Sequence, residues 1–552
     1  MHDLSRADHL DRLRQQAFDV LVIGGGITGA AVARDAARRG YRTALVEARD
    51  FSEGTSSRSS RLVHGGLRYL EHFEFDLVFE GSQERRTLLR IAPHLVRPLE
   101  FLFPIYEAGR VGRVKLDAGL WLYDALALFR NIERHQMLTA EALLEREPSL
   151  RPEGLLGGAR YFDAQVDDAR LVVTTVLSAA AAGASVANRL EALEVRTDRW
   201  PGHTTRVRDA ESGREFEIDA VAVVCATGPW TEETRVRVGG SAGHSIHPTR
   251  GTHIHVRRDR VGHEGAFIFE SHIDGRVMFV LPWRDLTLIG TTDDFDEGAP
   301  EDVAPTAGDV DYLLRSTNHL FPGVSLVPED VIGAWAGLRP LVAESHDSAE
   351  EGAVSRDFVV EEDPRAVFTV AGGKLTSHRH MAEQTVDLVA RLLAEAKIKP
   401  ERRSDTARAP LVGGDFQSLD ALHADVSRRA DGLGVAAAGV ARLVRAYGTR
   451  AHDLLDLVRD DPELAAPILE VRPHILAEAV YAARAEMALR VEDVVYRRTR
   501  IALETSDEWE EAARRVARAM AGPLEWSEAR RLKEVERVSE IRRRDDAWQQ
   551  AG

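Results

Sequence analysis

The chain has 552 residues, of which 44% are hydrophobic and 29% charged, and it carries a formal net charge of -17. Its length suggests roughly three to four structural units, and the acidic balance argues against general nucleic-acid binding, with room left for a local basic patch. The single cysteine, Cys225, excludes a disulfide framework, an iron–sulfur cluster and a cysteine-rich zinc site within this chain, and fits a reducing cytosol.

The opening stretch, MHDLSRADHLDRLRQQ, has no apolar core, so no secretory signal is expected there. Phe18–Ile23, FDVLVI, reads as a strand buried on both faces. It runs into GGGITGAAVARDAARRG, where Gly24, Gly26 and Gly29 give the G-x-G-x-x-G spacing. The first glycine permits a tight turn, the second lets the backbone approach a pyrophosphate, and the third lets the helix lie close to the strand. Glu47 ends the next strand, where a carboxylate binds ribose hydroxyls and repels the 2′-phosphate of NADP. A strand, a glycine turn, a helix and a second strand ending in Glu predict a dinucleotide site, with FAD and NAD both open.

The following loop, GTSSRSSRLVHGGLRYLEH, offers small donors at Thr55, Ser56, Ser57, Ser59 and Ser60. His64, Gly65 and Gly66 let the backbone pass close to a flat ring. By composition alone a solvated Ser/Arg loop is the favoured reading. Leu171–Asn188 is uncharged over eighteen residues, the length of a membrane span, but its alanines and its GAS interruption predict a buried helix followed by a strand. AVAVVCATGPW, ending at Trp230, reads as an apolar strand with a Gly-Pro turn at Gly228, and Cys225 within it as a core residue. PTRGTHIHV places His253 and His255 on one face of a strand. FTVAGGKLTSHRHMAE repeats the strand–glycines–helix order, with Gly372, Gly373, Lys374, Leu375 and Thr376 at the turn. A helix N-terminus there aims backbone amides at an electron-rich group. No H-x-x-x-H or H-E-x-x-H pattern is present, so no metal site is expected.

The stretches VIGGGITGAAVARDAARRG, SSRSSRLVHGGLRYLEHFEF, CATGPW, IGTTD, GLRPL, SRDF and GGKLTSHR occur in the order found in the FAD-dependent glycerol-3-phosphate dehydrogenases, which the chain resembles from about residue 18 to 400 and more loosely beyond. The resemblance implies FAD, an α/β fold with a discontinuous Rossmann-like FAD domain of the glutathione-reductase and D-amino-acid-oxidase type, an antiparallel-sheet substrate domain, and oxidation of sn-glycerol 3-phosphate to dihydroxyacetone phosphate. It implies that Gly24, Gly26, Gly29, Glu47, Thr55, Ser56, Ser57, Ser60, His64, Gly65, Gly66, Gly228, Trp230, Gly372, Gly373, Leu375 and Thr376 serve the cofactor. Arg68, Tyr69, Arg356 and Lys374 would bind substrate, guanidinium groups suiting a doubly charged phosphate. His253 is the expected general base, Arg339 the residue holding substrate and stabilising a developing alkoxide, and Thr291 and Thr292 part of the pocket wall.

On this reading the FAD domain spans 15–90, 155–240 and 335–400, a substrate-capping domain 91–154 and 241–334, and a helical domain 410–552. The resemblance also implies electron transfer to membrane quinone from a cytoplasmic protein docked peripherally on the inner face of the cell membrane, and it admits a homodimer. Two docking surfaces suggest themselves: the C-terminal arginines Arg497, Arg498, Arg500, Arg514, Arg515, Arg518, Arg542, Arg543 and Arg544, and, better, the apolar run Gly119–Phe129. A glycerol-3-phosphate oxidase using oxygen, an amino-acid oxidase and a non-catalytic FAD-binding scaffold are the competing readings. The single cysteine argues against the cysteine-rich module of anaerobic, multisubunit relatives.

Overall fold

A computed structural model describes residues 5–197, 202–238, 244–296, 298–343, 357–363 and 365–550. Two large sheets organise it. The first runs in the order Phe358–Glu362, Val367–Gly372, Glu215–Cys225, Phe18–Ile23, Thr43–Val46, Ser185–Ala187, and a hairpin of Leu190–Arg196 and His203–Asp209 extends the Glu215–Cys225 strand. Its central strand, Phe18–Ile23, is buried at every position and pairs in parallel with a neighbour on each side. That double burial explains why its sequence is an apolar run without alternation.

The helix Ile27–Arg38 follows this strand and packs against both Asp168–Ala181 and His378–Glu395. Its alanines at 30, 31, 33, 36 and 37 are all buried and let three helices converge over the sheet. The uncharged stretch beginning at Leu171 is thus a buried helix, Asp168–Ala181, followed by the strand Ser185–Ala187. Among the described residues no helix is long and apolar enough to cross a membrane. Cys225 closes its strand inside the core, where burial pushes its thiol pKa up to about 12, as suits an inert small core residue.

The second sheet is built mainly from antiparallel pairs, including the long Ser245–Arg257 strand against Val331–Ala343. One of its pairs, Ala266–Glu270 with Arg97–Tyr106, is parallel. Leu155–Gln165 and the start of Val331–Ala343 belong to this second sheet, as does Leu62–Val63. Three strands expected within the FAD-domain segments therefore pair with the other sheet instead. The chain crosses repeatedly between sheets, and strand pairing across such long separations leaves no local composition signal.

From residue 410 onward the chain is helical, from Leu419–Ala430 to Glu528–Asp545. This region turns several arginines inward. Arg497, Arg498, Arg500 and Arg542 are buried, so they do not form the lipid-facing surface considered from sequence. Arg497 and Arg498 donate to the buried Asp50 at 2.6 and 2.7 Å. Burial alone pushes the Asp50 carboxyl pKa up, but the two guanidinium groups outweigh it and hold the group well below the usual carboxylate range. Arg500 donates to the Ser57 carbonyl at 2.7 Å and pairs with Asp168. Asp168 in turn accepts from the Ser59 hydroxyl at 2.7 Å and the Ser59 N–H at 3.1 Å. The last hundred residues thus clamp the loop that follows the second strand of the nucleotide-binding sheet.

Candidate active site

A cleft of about 410 Å³ runs from the glycine turn to the face of the second sheet. Gly24 has φ +111°, and a Cβ there would lie 2.4 Å from the Ala226 carbonyl oxygen. A Cβ on Gly29 would lie 1.9 Å from the Gly24 carbonyl oxygen, so only glycine lets the helix approach. Gly26 caps that helix without a side chain, and Ser56 supplies the missing acceptor, its Oγ taking the Ile27 N–H at 3.0 Å. The Glu47 carboxylate accepts from Gly25 N–H at 2.6 Å and Arg49 N–H at 2.7 Å, and burial raises its pKa. It braces the turn while still lining the cleft.

Thr55, Ser56, Ser60, His64, Gly228, Trp230, Gly372, Gly373, Leu375 and Thr376 line the same cleft. Gly66 borders an inner chamber instead. Gly29, Ser57 and Gly65 do not reach the cleft. Gly29 is internal packing, Ser57 is turned toward the C-terminal helices, and Gly65 faces a buried cluster of Tyr123, Arg85 and Asp163. Its N–H donates to the Tyr123 hydroxyl at 3.0 Å, and that hydroxyl donates to Asp163 at 2.7 Å. The cluster fixes the backbone on which His64 and Gly66 sit. The His64 N–H donates to Thr376 Oγ1 at 3.2 Å, tying the two motif loops together across the cleft.

At its far end the cleft opens into a chamber of about 140 Å³. Arg68, Tyr69 and Arg339 border it, and Lys374 stands 3.8 Å from the centre of the Tyr69 ring. Burial pulls the Lys374 pKa down to about 8, against the raising effect of Glu74 and other acids. Arg339 donates to Asp293 at 2.7 Å and to Thr291 Oγ1 at 2.9 Å, and burial lowers its pKa too. Cations held at such cost of desolvation make a site for an anion. Arg356 lies outside the described residues.

His253 stands in the cleft wall beside Arg339. Its Nε2 is 2.8 Å from Ser60 Oγ, its ring stacks on Trp335 at 5.5 Å, and its Nδ1 has no partner. A Cβ on Gly290 would meet the imidazole at 2.2 Å, so glycine there makes room for the ring. Burial first, then the Arg339 and Arg61 guanidinium groups, keep the His253 pKa well below its ordinary value. His255 points deeper, its Nε2 3.3 Å from Arg61 and its Nδ1 2.9 Å from the Leu503 carbonyl oxygen. Thr291 borders the inner chamber, while Thr292 is buried behind it and accepts the Thr252 N–H at 2.9 Å.

Three side chains near the site were not singled out from sequence. Arg276 borders the inner chamber and donates to the Asp293 carbonyl at 2.9 Å. Arg61 is fully buried between Trp283 and Trp335, at 4.2 and 4.8 Å from their ring centres. Trp335 underlies His253. The signal for Trp335 was in the period-two alternation of AWAGLRPL, which carries Gly337 and Arg339 on one face into the cleft. Arg61 is one arginine in a Ser/Arg loop, and nothing local distinguishes it.

Comparison with known proteins agrees with this geometry. Residues 19–395 match the FAD dependent oxidoreductase family, and residues 404–531 match the C-terminal domain of alpha-glycerophosphate oxidase. Glycerol-3-phosphate dehydrogenase 2 of Mycobacterium tuberculosis is 38% identical over 530 residues, 95% of this chain and 88% of that relative. The chain belongs to the FAD-dependent glycerol-3-phosphate dehydrogenase family. Within that family, the aerobic glycerol-3-phosphate dehydrogenase of Staphylococcus haemolyticus is 34% identical, covering 88% of this chain and 87% of its own length. The X-ray structure of the Bacillus halodurans glycerol-3-phosphate dehydrogenase complexed with FAD superposes with a TM-score of 0.80 at 30% identity, covering 98% of this chain and 97% of that one. Membership makes the protein an FAD enzyme, in place of the non-catalytic scaffold weighed from sequence. The glycine turn, the Ser56-capped helix and the long cleft between the two motif loops fit that cofactor's extended shape.

Proposed function

We propose that this enzyme oxidises sn-glycerol 3-phosphate to dihydroxyacetone phosphate and passes the electrons to membrane quinone. One observation carries the substrate assignment: a cationic chamber bordered by Arg68, Arg276 and Arg339 opens off the cofactor cleft where Lys374 and His253 line it. A phosphate in that chamber gains charge-assisted hydrogen bonds from its guanidinium groups, beyond the one Arg339 already makes to Asp293. Gly24, Gly26, Ser56, Glu47 and the Gly372–Thr376 turn hold the cofactor, and FAD supplies the hydride acceptor when bound.

The side chains then manage charge and protons. Arg339, oriented by Asp293 and Thr291, holds the substrate and stabilises negative charge as it develops on the C2 oxygen. His253, kept neutral by burial, takes the C2 hydroxyl proton, with Ser60 hydrogen-bonded at Nε2 to fix the ring. Tyr69 and the Lys374 above it close the phosphate end.

The quinone half rests on the surface. Phe73, Phe75, Phe79, Trp121, Leu122 and Phe129 are all exposed, on the turn and helix Phe75–Ile91 and on the neighbouring helix Arg113–Leu126 and its end. Trp121 is 50% and Phe73 77% exposed. Aromatic groups of this kind suit peripheral docking at a bilayer interface, here the inner face of the cell membrane. A second reading, with oxygen as acceptor, is favoured by the match to an oxidase C-terminal domain.

Anaerobic titration of the yellow protein with glycerol 3-phosphate, glycerol and glycine in parallel tests the first half. Bleaching by the phosphate ester alone is expected, and no bleaching by it would refute the assignment. Stoichiometric peroxide during aerobic turnover would replace quinone by oxygen.

A further inference from the structure

A second cavity, of about 240 Å³, lies where the C-terminal helices meet the back of the cofactor loop. Four carboxylates border it, and each is already held by an arginine: Glu301 by Arg49, Glu492 by Arg537, Asp545 by Arg544 and Glu53 by Arg497. One bordering cation is left over. Arg58 forms no ion pair within 4 Å among the described residues and donates only to the Ala336 carbonyl, at 2.9 Å. Two residues that border the same cavity carry a buried donor without an acceptor: Tyr496 its hydroxyl, on a residue 8% exposed, and Trp335 its indole N–H, on a residue 2% exposed.

A lone guanidinium beside unsatisfied donors is costly unless an acceptor of opposite charge joins them. We infer that this cavity is a binding site for a small phosphate-bearing anion, inorganic phosphate or a phosphate monoester, held by Arg58 with Tyr496 and Trp335. Burial lowers the Arg58 pKa, with Asp545 the largest opposing charge, as befits a cation lacking a close counterion. The volume exceeds what a bare phosphate needs, leaving space for an ester. The site is separate from the substrate chamber, which Arg68, Arg276 and Arg339 border. It is continuous with the machinery: Arg58 itself, with Glu53, Gly54 and Thr55, borders both this cavity and the cofactor cleft, and Trp335 stacks on His253.

Equilibrium binding of radiolabelled inorganic phosphate to the FAD-loaded protein tests this. Two sites are expected in the wild type. Lys374→Met should weaken the one at the substrate chamber by roughly fiftyfold and leave the other. Arg58→Met should weaken the other by about a hundredfold, the loss of one charge-assisted contact, and Tyr496→Phe by about fivefold, with the substrate-chamber site unchanged in both. Tyr496→Phe removes a single oxygen and remains informative if Arg58→Met impairs folding, which flavin content and a melting curve report. Displacement of label from the Arg58 site by glycerol 2-phosphate marks an ester as the better occupant, and failure to displace marks the free ion. A single site weakened by Lys374→Met, or two sites indifferent to both cavity variants, would mean the cavity holds water only and overturn the inference.

Discussion

The two walls of the cleft solve opposite problems. The wall from the nucleotide-binding sheet is made of backbone and small side chains: Gly24, Gly26, Gly29, Ser56 and a bracing Glu47. The facing wall is made of long cations and aromatics, Arg339, Tyr69 and His253 with Trp335 stacked behind it, joined by Lys374, which reaches Tyr69 from the end of a nucleotide-sheet strand. The first wall recognises by letting a ligand come close, the second by charge that burial has made expensive. Substitutions should therefore fail differently on the two sides.

The largest effect is expected on the first wall. Gly29→Val places carbon where the Gly24 carbonyl stands, so the purified variant should carry no flavin by its visible spectrum, and activity should drop by at least about a thousandfold, one oriented cofactor being worth more than that. Retention of full flavin would mean the turn is looser than described.

On the second wall flavin should stay bound while catalysis fails. His253→Asn should lower kcat by about a hundredfold or more, measured as the anaerobic flavin-reduction rate at saturating substrate. A rate equal to wild type would transfer the proton to another group. Lys374→Met should lower kcat/KM for the phosphate ester by roughly fiftyfold while the slow reaction with glycerol is unchanged, the loss of a charged contact. An equal loss with both substrates would show that Lys374 does not read the phosphate.

A subtler distinction comes from pH. His253 works as a neutral base, so activity is lost as pH falls through its pKa. Its environment, set by burial, Arg339 and Arg61, with Ser60 and the Trp335 ring in contact and His255 on the same strand face, depresses that pKa. The acid limb of kcat/KM should thus lie below the ordinary histidine value near 6.5. Arg61→Met removes one of the depressing charges and should shift the limb upward, by less than one pH unit. A limb that does not move would exclude Arg61 from tuning this group. The smallest effect belongs outside the cleft: Trp121→Glu should weaken binding to anionic vesicles several-fold with dye-linked turnover unchanged.

The same contrast governs what was legible in the sequence. The first wall is contiguous, and its strand, turn, helix and acidic end declare themselves in about thirty residues, because local backbone geometry dictates local residue types. The second wall emerged from sequence only through matched motifs, which brought in Arg68, Arg339, His253 and Lys374. Arg61, Arg276 and Trp335 have meaning only through partners hundreds of residues away or on another strand. Gly65 and Ser57 sat inside the right motif yet face Tyr123 and the C-terminal helices, since a loop's side chains alternate between the cleft and its supports. The C-terminal arginines misled most. Clusters of charge usually mark a solvated face, and here the charges at 497, 498, 500 and 542 are structural pins in the interior.

Those pins have a consequence for how the enzyme is made. Asp50 and Ser57 emerge from the ribosome early, but Arg497, Arg498 and Arg500, which hold them, come more than four hundred residues later. The nucleotide-binding sheet is complete only with Val367–Gly372, and at roughly 5–20 residues per second the loop then stays unpinned for on the order of ten seconds more. Stable cofactor loading is therefore expected only once residues 497–500 have been made, and a nonsense mutation just before them should yield a long polypeptide that does not turn yellow.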